Sequence, residues 1–190
     1  MSEVLKDEIF YDQSGGGATF SGGEPMMQTD FLAALLERCR QRGISTVVDT
    51  CGYAPDGDFD RVYDLVDLFL FDLKLMDETL HVEYTGVSNN LILANLTSLA
   101  MRGQKVVVRI PMIPEITDTR QNLDAVAVFL RPLRNVRRIS LLPYNKLGED
   151  KAKRFKLGDR GLRLETQSPD EMHRRAAWLA SHGYEVKIGG

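Results

Sequence analysis

The sequence predicts an α/β protein built on a parallel sheet. Three observations support this: strand-like and helix-like stretches alternate from Ala18 onward, two strands are apolar on both faces, and polar residues gather where four strands end. Repeated strand-helix units joined by right-handed crossovers give either a doubly wound sheet or a barrel-like one. With 190 residues, 43% of them hydrophobic, the chain is long enough for one domain with its own core.

The elements follow in order. Ala18 to Phe20 is the apolar centre of SGGGATFSGGEP, and residues 18–22 read as the first strand. Residues 28–42 read as a helix with Thr29 or Asp30 near its cap, and Gly43 stops it before the strand STVVDTC at 45–51. A short helix is expected near 58–66. LFLFDLK at 68–74 is apolar on both faces up to its last turn, the pattern of a parallel strand covered by helices. Helical segments at 78–84 and 89–102 come next, the second ended by Gly103. KVVVRIP at 105–111 is another buried strand, IPEITD a loop, and 119–131 a helix entered through Asp118 or Thr119. RRISLLPYN at 137–145 is the next strand, followed by a basic, irregular stretch. Ser168 with Glu171 makes a capping box, with Pro169 at the first helical position, and opens a helix that Gly183 ends. YEVKI is the last strand.

Charge narrows the function classes. The 24 basic and 27 acidic residues give a formal net charge of -3 without a long run of either sign, so neither a nucleic-acid stripe nor a polybasic membrane anchor is indicated. MSEVLKDE is acidic and lacks the apolar core of a signal peptide, and no apolar run reaches the roughly 18 residues that cross a bilayer. A cytoplasmic location is the expectation. Cys39 shares helical spacing with Leu32, Leu35 and Leu36 and reads as packing, while Cys51 in DTCG reads as a small filler near a strand end. His81, His173 and His182 form no ligand pair. No metal site is expected.

Strand ends point to a ligand. On 68–74 the side chains alternate, so Leu68, Leu70, Asp72 and Lys74 share one face while Phe69, Phe71 and Leu73 share the other. Asp49 and Thr50 end one strand, Arg109 comes late in another, and Asn145 ends a third. In parallel α/β folds, ligands bind at that end. Gly22 and Gly23 admit a ligand against bare main chain, and Glu24 adds a negative charge suited to an ammonium group. Asp72 and Lys74, roughly 7 Å apart along the strand, suit the two charges of a zwitterion.

Five blocks in order carry a family resemblance: DEIFYDQSGGGATFSGGEP, DTCG, DLKLMD with HVEYTGVSNNLIL, VRIPMIPEITD and LLPYNKLGEDK. Together they resemble the activating enzymes of glycyl radical enzymes, the radical S-adenosylmethionine (SAM) group that includes pyruvate formate-lyase activating enzyme. That resemblance implies a partial (β/α) TIM-like barrel of the radical SAM type, missing its first β/α unit. Residues 1–190 would then be a single domain, the carboxyl-terminal part of a radical SAM core, with the strand at 18–22 left as an edge that favours self-association.

The resemblance also implies roles. Gly22, Gly23 and Glu24 would hold the amino group of SAM, and Asp72, Leu73 and Lys74 the rest of its methionyl end. Arg109 would form the site wall, and Thr50 and Asp49 the floor where cofactor meets substrate peptide. Where this chain has Asn145 the family often has histidine, so a positioning role survives there and a titrating one does not. The family's CxxxCxxC loop, which holds a 4Fe-4S cluster, is absent from this sequence. In the parent protein, the cluster would reductively cleave SAM to a 5′-deoxyadenosyl radical that takes hydrogen from a glycine of the partner enzyme. An electron donor such as flavodoxin or ferredoxin would serve it, and this chain alone would be inactive. Two rivals from other classes are a cluster-free module binding SAM or a peptide, and a barrel lyase or aldolase using Lys74 as an amine nucleophile.

Overall fold

A computed structural model describes residues 1–144 and 166–189. Six strands lie side by side in chain order: β1 (Gly17–Phe20), β2 (Ser45–Thr50), β3 (Leu68–Asp72), β4 (Val106–Met112), β5 (Arg138–Pro143) and β6 (Glu185–Ile188). Every neighbouring pair is parallel. A doubly wound sheet reverses its strand order at a switch point, whereas this order never reverses, so right-handed crossovers place the helices on a single face. The sheet is an open, barrel-type half, with β1 and β6 at its edges.

Burial along β3 shows the same asymmetry. Phe69 and Phe71 are fully buried, while Leu68, Leu70 and Asp72 are only half-buried. The doubly apolar pattern of LFLFDLK therefore marks one helix-packed face and one open, concave face, which corrects the expectation of a strand covered on both sides. Against the buried face pack Leu32 and Leu36 of α3 (Thr29–Gln41), Leu96 and Leu99 of α6 (Asn90–Met101), and Leu123 and Val126 of α7 (Arg120–Leu130). Met172 and Leu179 of α8 (Pro169–Ser181) complete that layer. Each such side chain contributes about 2 kcal/mol on leaving water.

Two helix entries follow the caps expected from sequence, whereas α3 starts after Gln28 with no side-chain cap, Thr29 and Asp30 already lying inside it. Thr119 accepts from the Asn122 amide, and Ser168 and Glu171 form the full capping box with Pro169 in the first turn. Several boundaries differ by one or two residues, and four of the differences bear on the site or the core. β1 stops at Phe20 because Ser21 and Gly22 leave the strand, Gly22 at φ 144°. β3 stops at Asp72, two residues before Lys74. β4 runs one residue past Pro111, to Met112. Residues 58–66 divide into α4 (Asp56–Asp60) and a 3-10 turn at Tyr63–Leu65, with another 3-10 turn at Pro25–Gln28 ahead of α3. α5 (Glu78–Thr85) ends on the left-handed Gly86.

Two short helices precede β1 without an apolar pattern to announce them, α1 (Ser2–Lys6) and α2 (Glu8–Ser14). Met1, Val4, Leu5 and Tyr11 pack on Ala18, Cys39 and Ile44, closing the helix side of the first strand. Beyond β1 there is no further strand among the described residues. Asn145 and the basic stretch after it lie outside the described residues.

Candidate functional site

Parallel register draws the polar strand ends together. Asp49 lies opposite Leu70, and Asp72 opposite Arg109, so all three charged side chains share the open face. Arg109 Nε donates to Asp72 Oδ1 at 2.9 Å, and its Nη2 reaches the same oxygen at 2.7 Å. Nη2 also donates to Asp49 Oδ1. Only 16–20% of each side chain is exposed, so this bridge is substantially desolvated. Burial works against the Arg109 charge, but the carboxylates of Asp72 and Asp49 outweigh it and hold the guanidinium above its ordinary range. Burial also pushes the Asp72 carboxyl up, against the pull of Arg109 and Lys74. Three strands are thus cross-linked by one cation. Ser21 Oγ adds a long contact of 3.4 Å to Asp49 Oδ2.

Glu24 occupies the next corner. Its Oε1 accepts from Thr50 Oγ1 at 2.7 Å and from the Met26 amide at 3.1 Å, and its Oε2 from the Cys51 amide at 2.7 Å. Thr50 Oγ1 in turn accepts from Gly52 N at 2.9 Å. Both carboxylate oxygens are engaged by protein donors. Gly22 and Gly23, just before it, have no atom within 4 Å of where a Cβ would stand. Their backbone faces open space.

Lys74 follows β3 between two buried anchors, Leu73 and Leu75. Its own side chain is half-exposed and has no hydrogen-bond or ion-pair partner among the described residues. Its charge acts on Asp72 and on Cys51, which places it at the same mouth. The backbone beneath it is held by two buried amides. Asn122 Nδ2 donates to Lys74 O at 2.8 Å while its Oδ1 accepts from Met76 N at 2.9 Å, and Asn89 Nδ2 donates to Leu75 O and Met76 O at 3.0 and 2.9 Å.

Of the thiols and imidazoles, Cys39 and His81 are buried, whereas His173 and His182 are exposed. Cys39 is fully buried within α3. Burial, helped by a hydrogen bond with Glu24, pushes the Cys51 thiol up to about 11, so it is protonated at neutral pH. His81 is buried with Nδ1 2.7 Å from Val87 O. No group of three or more His, Cys, Asp or Glu that could hold a metal ion occurs among the described residues.

Sequence reading named Gly22, Gly23, Glu24, Asp49, Thr50, Asp72, Leu73, Lys74 and Arg109, and the register gathers the ends of β1, β2, β3 and β4 that bear them. Leu73 is the exception in direction, being buried in the core with its amide bound to Arg109 O at 2.9 Å. The amides of Asn89, Asn95 and Asn122 were missed. The available signal was an asparagine among core-spaced apolar residues of a helix, as in NLILANLTSL, where Asn95 Nδ2 donates to Gly52 O and Ala54 O at 2.8 Å each.

Comparison with known proteins agrees with this geometry. The radical SAM superfamily model matches residues 3–125. The chain is 39% identical over its whole length to a trans-4-hydroxy-L-proline dehydratase activating enzyme of Clostridioides difficile. It is 38% identical, over 99% of its length, to the pyruvate formate-lyase 2-activating enzyme of Escherichia coli K12. It spans 64% of the length of each of these relatives. A crystal structure of a domain of pyruvate-formate lyase-activating enzyme from Bacteroides vulgatus superposes with a TM-score of 0.77 at 34% identity, covering 92% of this chain and 99% of that one. An open parallel half-barrel with its polar strand ends on one mouth, matched across most of its length in both sequence and structure, places this chain in the radical SAM superfamily.

Proposed function

We propose that residues 1–190 form one domain, the carboxyl-terminal part of a radical SAM core, and that its strand-end site holds the methionyl end of SAM. One observation carries this reading. The bare Gly22–Gly23 backbone, the Asp49 and Asp72 carboxylates and the Lys74 ammonium, which has no partner among the described residues, surround one open face. Such a set is complementary to an amino acid zwitterion: glycine carbonyls and a carboxylate receive the ammonium, and Lys74 receives the carboxylate.

Superfamily membership implies both SAM and a 4Fe-4S cluster. The residues present fit the first and not the second. The two cysteines of the sequence sit on separate elements, Cys39 buried in α3 and Cys51 after β2, and no set of three ligands comes together among the described residues, so any such cluster in the whole protein rests on other cysteines. When bound in the whole protein, SAM would supply the radical chemistry for hydrogen abstraction from a glycine of a partner enzyme, with Gly22, Gly23, Asp72 and Lys74 holding its methionyl end. The work of this chain is to bind and orient. Arg109 fixes the separation of Asp49 and Asp72, Glu24 locks the glycine loop to β2, and Thr50 sits beneath.

For the whole protein we assign activation of a glycyl radical enzyme, with flavodoxin or ferredoxin as electron donor. The activating-enzyme names of the relatives at 38 and 39% identity support it. Those same relatives disfavour both the cluster-free module and the lyase using Lys74. Asn145 would contribute from outside the described residues. No helix among those residues is long and apolar enough to cross a membrane, in keeping with a cytoplasmic setting, and the mixed surface charge fits a partner that is neither nucleic acid nor membrane.

Calorimetric titration with S-adenosylhomocysteine tests the site. Weak binding that Lys74→Ala and Asp72→Ala each reduce is expected. Micromolar binding untouched by either substitution refutes the placement.

A further inference from the structure

Asn122 lies 48 residues after Lys74 in sequence, on α7, and is only 6% exposed. Its side-chain amide makes three good hydrogen bonds, none within its own helix. Nδ2 donates to Lys74 O at 2.8 Å and to Thr117 O at 2.9 Å, and Oδ1 accepts from Met76 N at 2.9 Å. Thr117, in turn, donates to Pro111 O and accepts from Ile113 N at 2.7 Å. One buried amide therefore ties the segment after β3 to the loop after β4. Strand pairing does not reach this segment, since β3 ends at Asp72. The last ladder-like contact is Leu73 N to Arg109 O at 2.9 Å.

We infer that Asn122 is a positioning residue for Lys74: by clamping the carbonyl of Lys74 and the amide of Met76, it sets where the Lys74 ammonium stands over the open face. Two features make this a constraint on direction and not packing alone. Lys74 has no side-chain partner among the described residues to hold it, so its direction comes from its backbone. That backbone is pinned between buried Leu73 and Leu75, leaving the Asn122 bonds to fix the peptide planes between them. The same bonds make the loop at 113–118 a second input to the position of Lys74. The inference rests on the reading of Lys74 as a contact to the methionyl carboxylate.

A double-mutant cycle on the 190-residue chain separates the two ideas, with S-adenosylhomocysteine affinity measured by chemical-shift titration. Lys74→Ala alone is expected to weaken binding about tenfold, the scale of one charge-assisted hydrogen bond. Asn122→Ala is expected to weaken it several-fold, and in the Lys74→Ala background that further loss disappears. Asn122→Ser, which removes the amide that makes these bonds while leaving a smaller cavity than alanine, serves if the alanine variant unfolds and is expected to show the same coupling. Should Lys74→Ala leave affinity unchanged, the underlying site reading fails. Should Lys74→Ala weaken binding while the Asn122 loss is absent, or persists undiminished in the double variant, Asn122 does not act through Lys74.

Discussion

Thr50 Oγ1 donates to Glu24 Oε1 at 2.7 Å, joining the end of β2 to the loop that follows β1. With the Cys51 and Met26 amides on the same carboxylate, this one side chain satisfies three donors that strand pairing does not reach. Both Glu24 oxygens are thus engaged by protein donors, and in the proposed site Glu24 is a positioning residue that leaves the Gly22–Gly23 backbone to meet the ligand.

Replacing Glu24 tests that assignment. Glu24→Ala leaves a buried hydroxyl and two amides without an acceptor, which costs about 3 kcal/mol, or roughly 6–12 °C of thermal midpoint for a chain of this size. Glu24→Gln retains one acceptor and should fall between. Circular dichroism melts check both, and an alanine variant as stable as the parent contradicts the account.

Asp72 is expected to behave oppositely. Burial raises its folded pKa above the ordinary 3.8, so its ionised form costs stability: its contribution is complete below about pH 4 and is lost as pH rises through the raised value. Asp72→Asn should leave the neutral-pH midpoint within about 2 °C of the parent or raise it, with the variant gaining relative to the parent as pH rises from about 4. Affinity for S-adenosylhomocysteine should drop about tenfold in the same protein. A large loss of stability would show that the Arg109 bridge, and not ligand binding, is the reason for this carboxylate.

The Cys51 thiol should be sluggish. Raised to about 11 from 9.0 by burial and Glu24, it carries roughly a hundredfold less thiolate at pH 8 than an unperturbed thiol. Alkylation with iodoacetamide, mapped by mass spectrometry, should be slow in the folded chain and faster in Glu24→Gln. The sign for stability follows: folding favours the protonated thiol, so this contribution is intact below about pH 9 and fades as pH approaches 11. Rapid folded-state alkylation at pH 8 would overturn the assignment.

Reconstitution of the 190-residue chain with iron and sulfide under anaerobic conditions should give no stoichiometric 4Fe-4S signal by electron paramagnetic resonance. Dithionite with SAM should give no 5′-deoxyadenosine above background. A cluster that survives Cys39→Ser and Cys51→Ser would require ligands that the described residues do not bring together.

Strand identity and the gathering of polar strand ends were legible because period-two alternation and polar strand ends are local signals. LFLFDLK announced both its Phe69–Phe71 core face and its Asp72 end. What alternation could not show was whether the second apolar face was covered, since Leu68 and Leu70 read the same half-exposed on a concave face as under a helix. The choice between open half-barrel and doubly wound sheet depends on strand order, a non-local property. The glycine run was legible as permissive but not in its detail. Gly17 is required because a Cβ there would stand 2.0 Å from Ser45 O across the β1–β2 pair, which is a packing demand, while Gly22 and Gly23 border open space. Asn122 stayed hidden because its partners lie 46 and 48 residues away.

In the proposed function, the carboxyl end of the sheet is a methionyl-binding mouth. Amide chemical-shift mapping during titration with S-adenosylhomocysteine tests it most directly. Perturbations are expected to concentrate at Gly22, Gly23, Thr50 and Leu73–Leu75, with none at the opposite end around Ile44–Thr46. Perturbations centred on that opposite end, or none at saturating ligand, would contradict it.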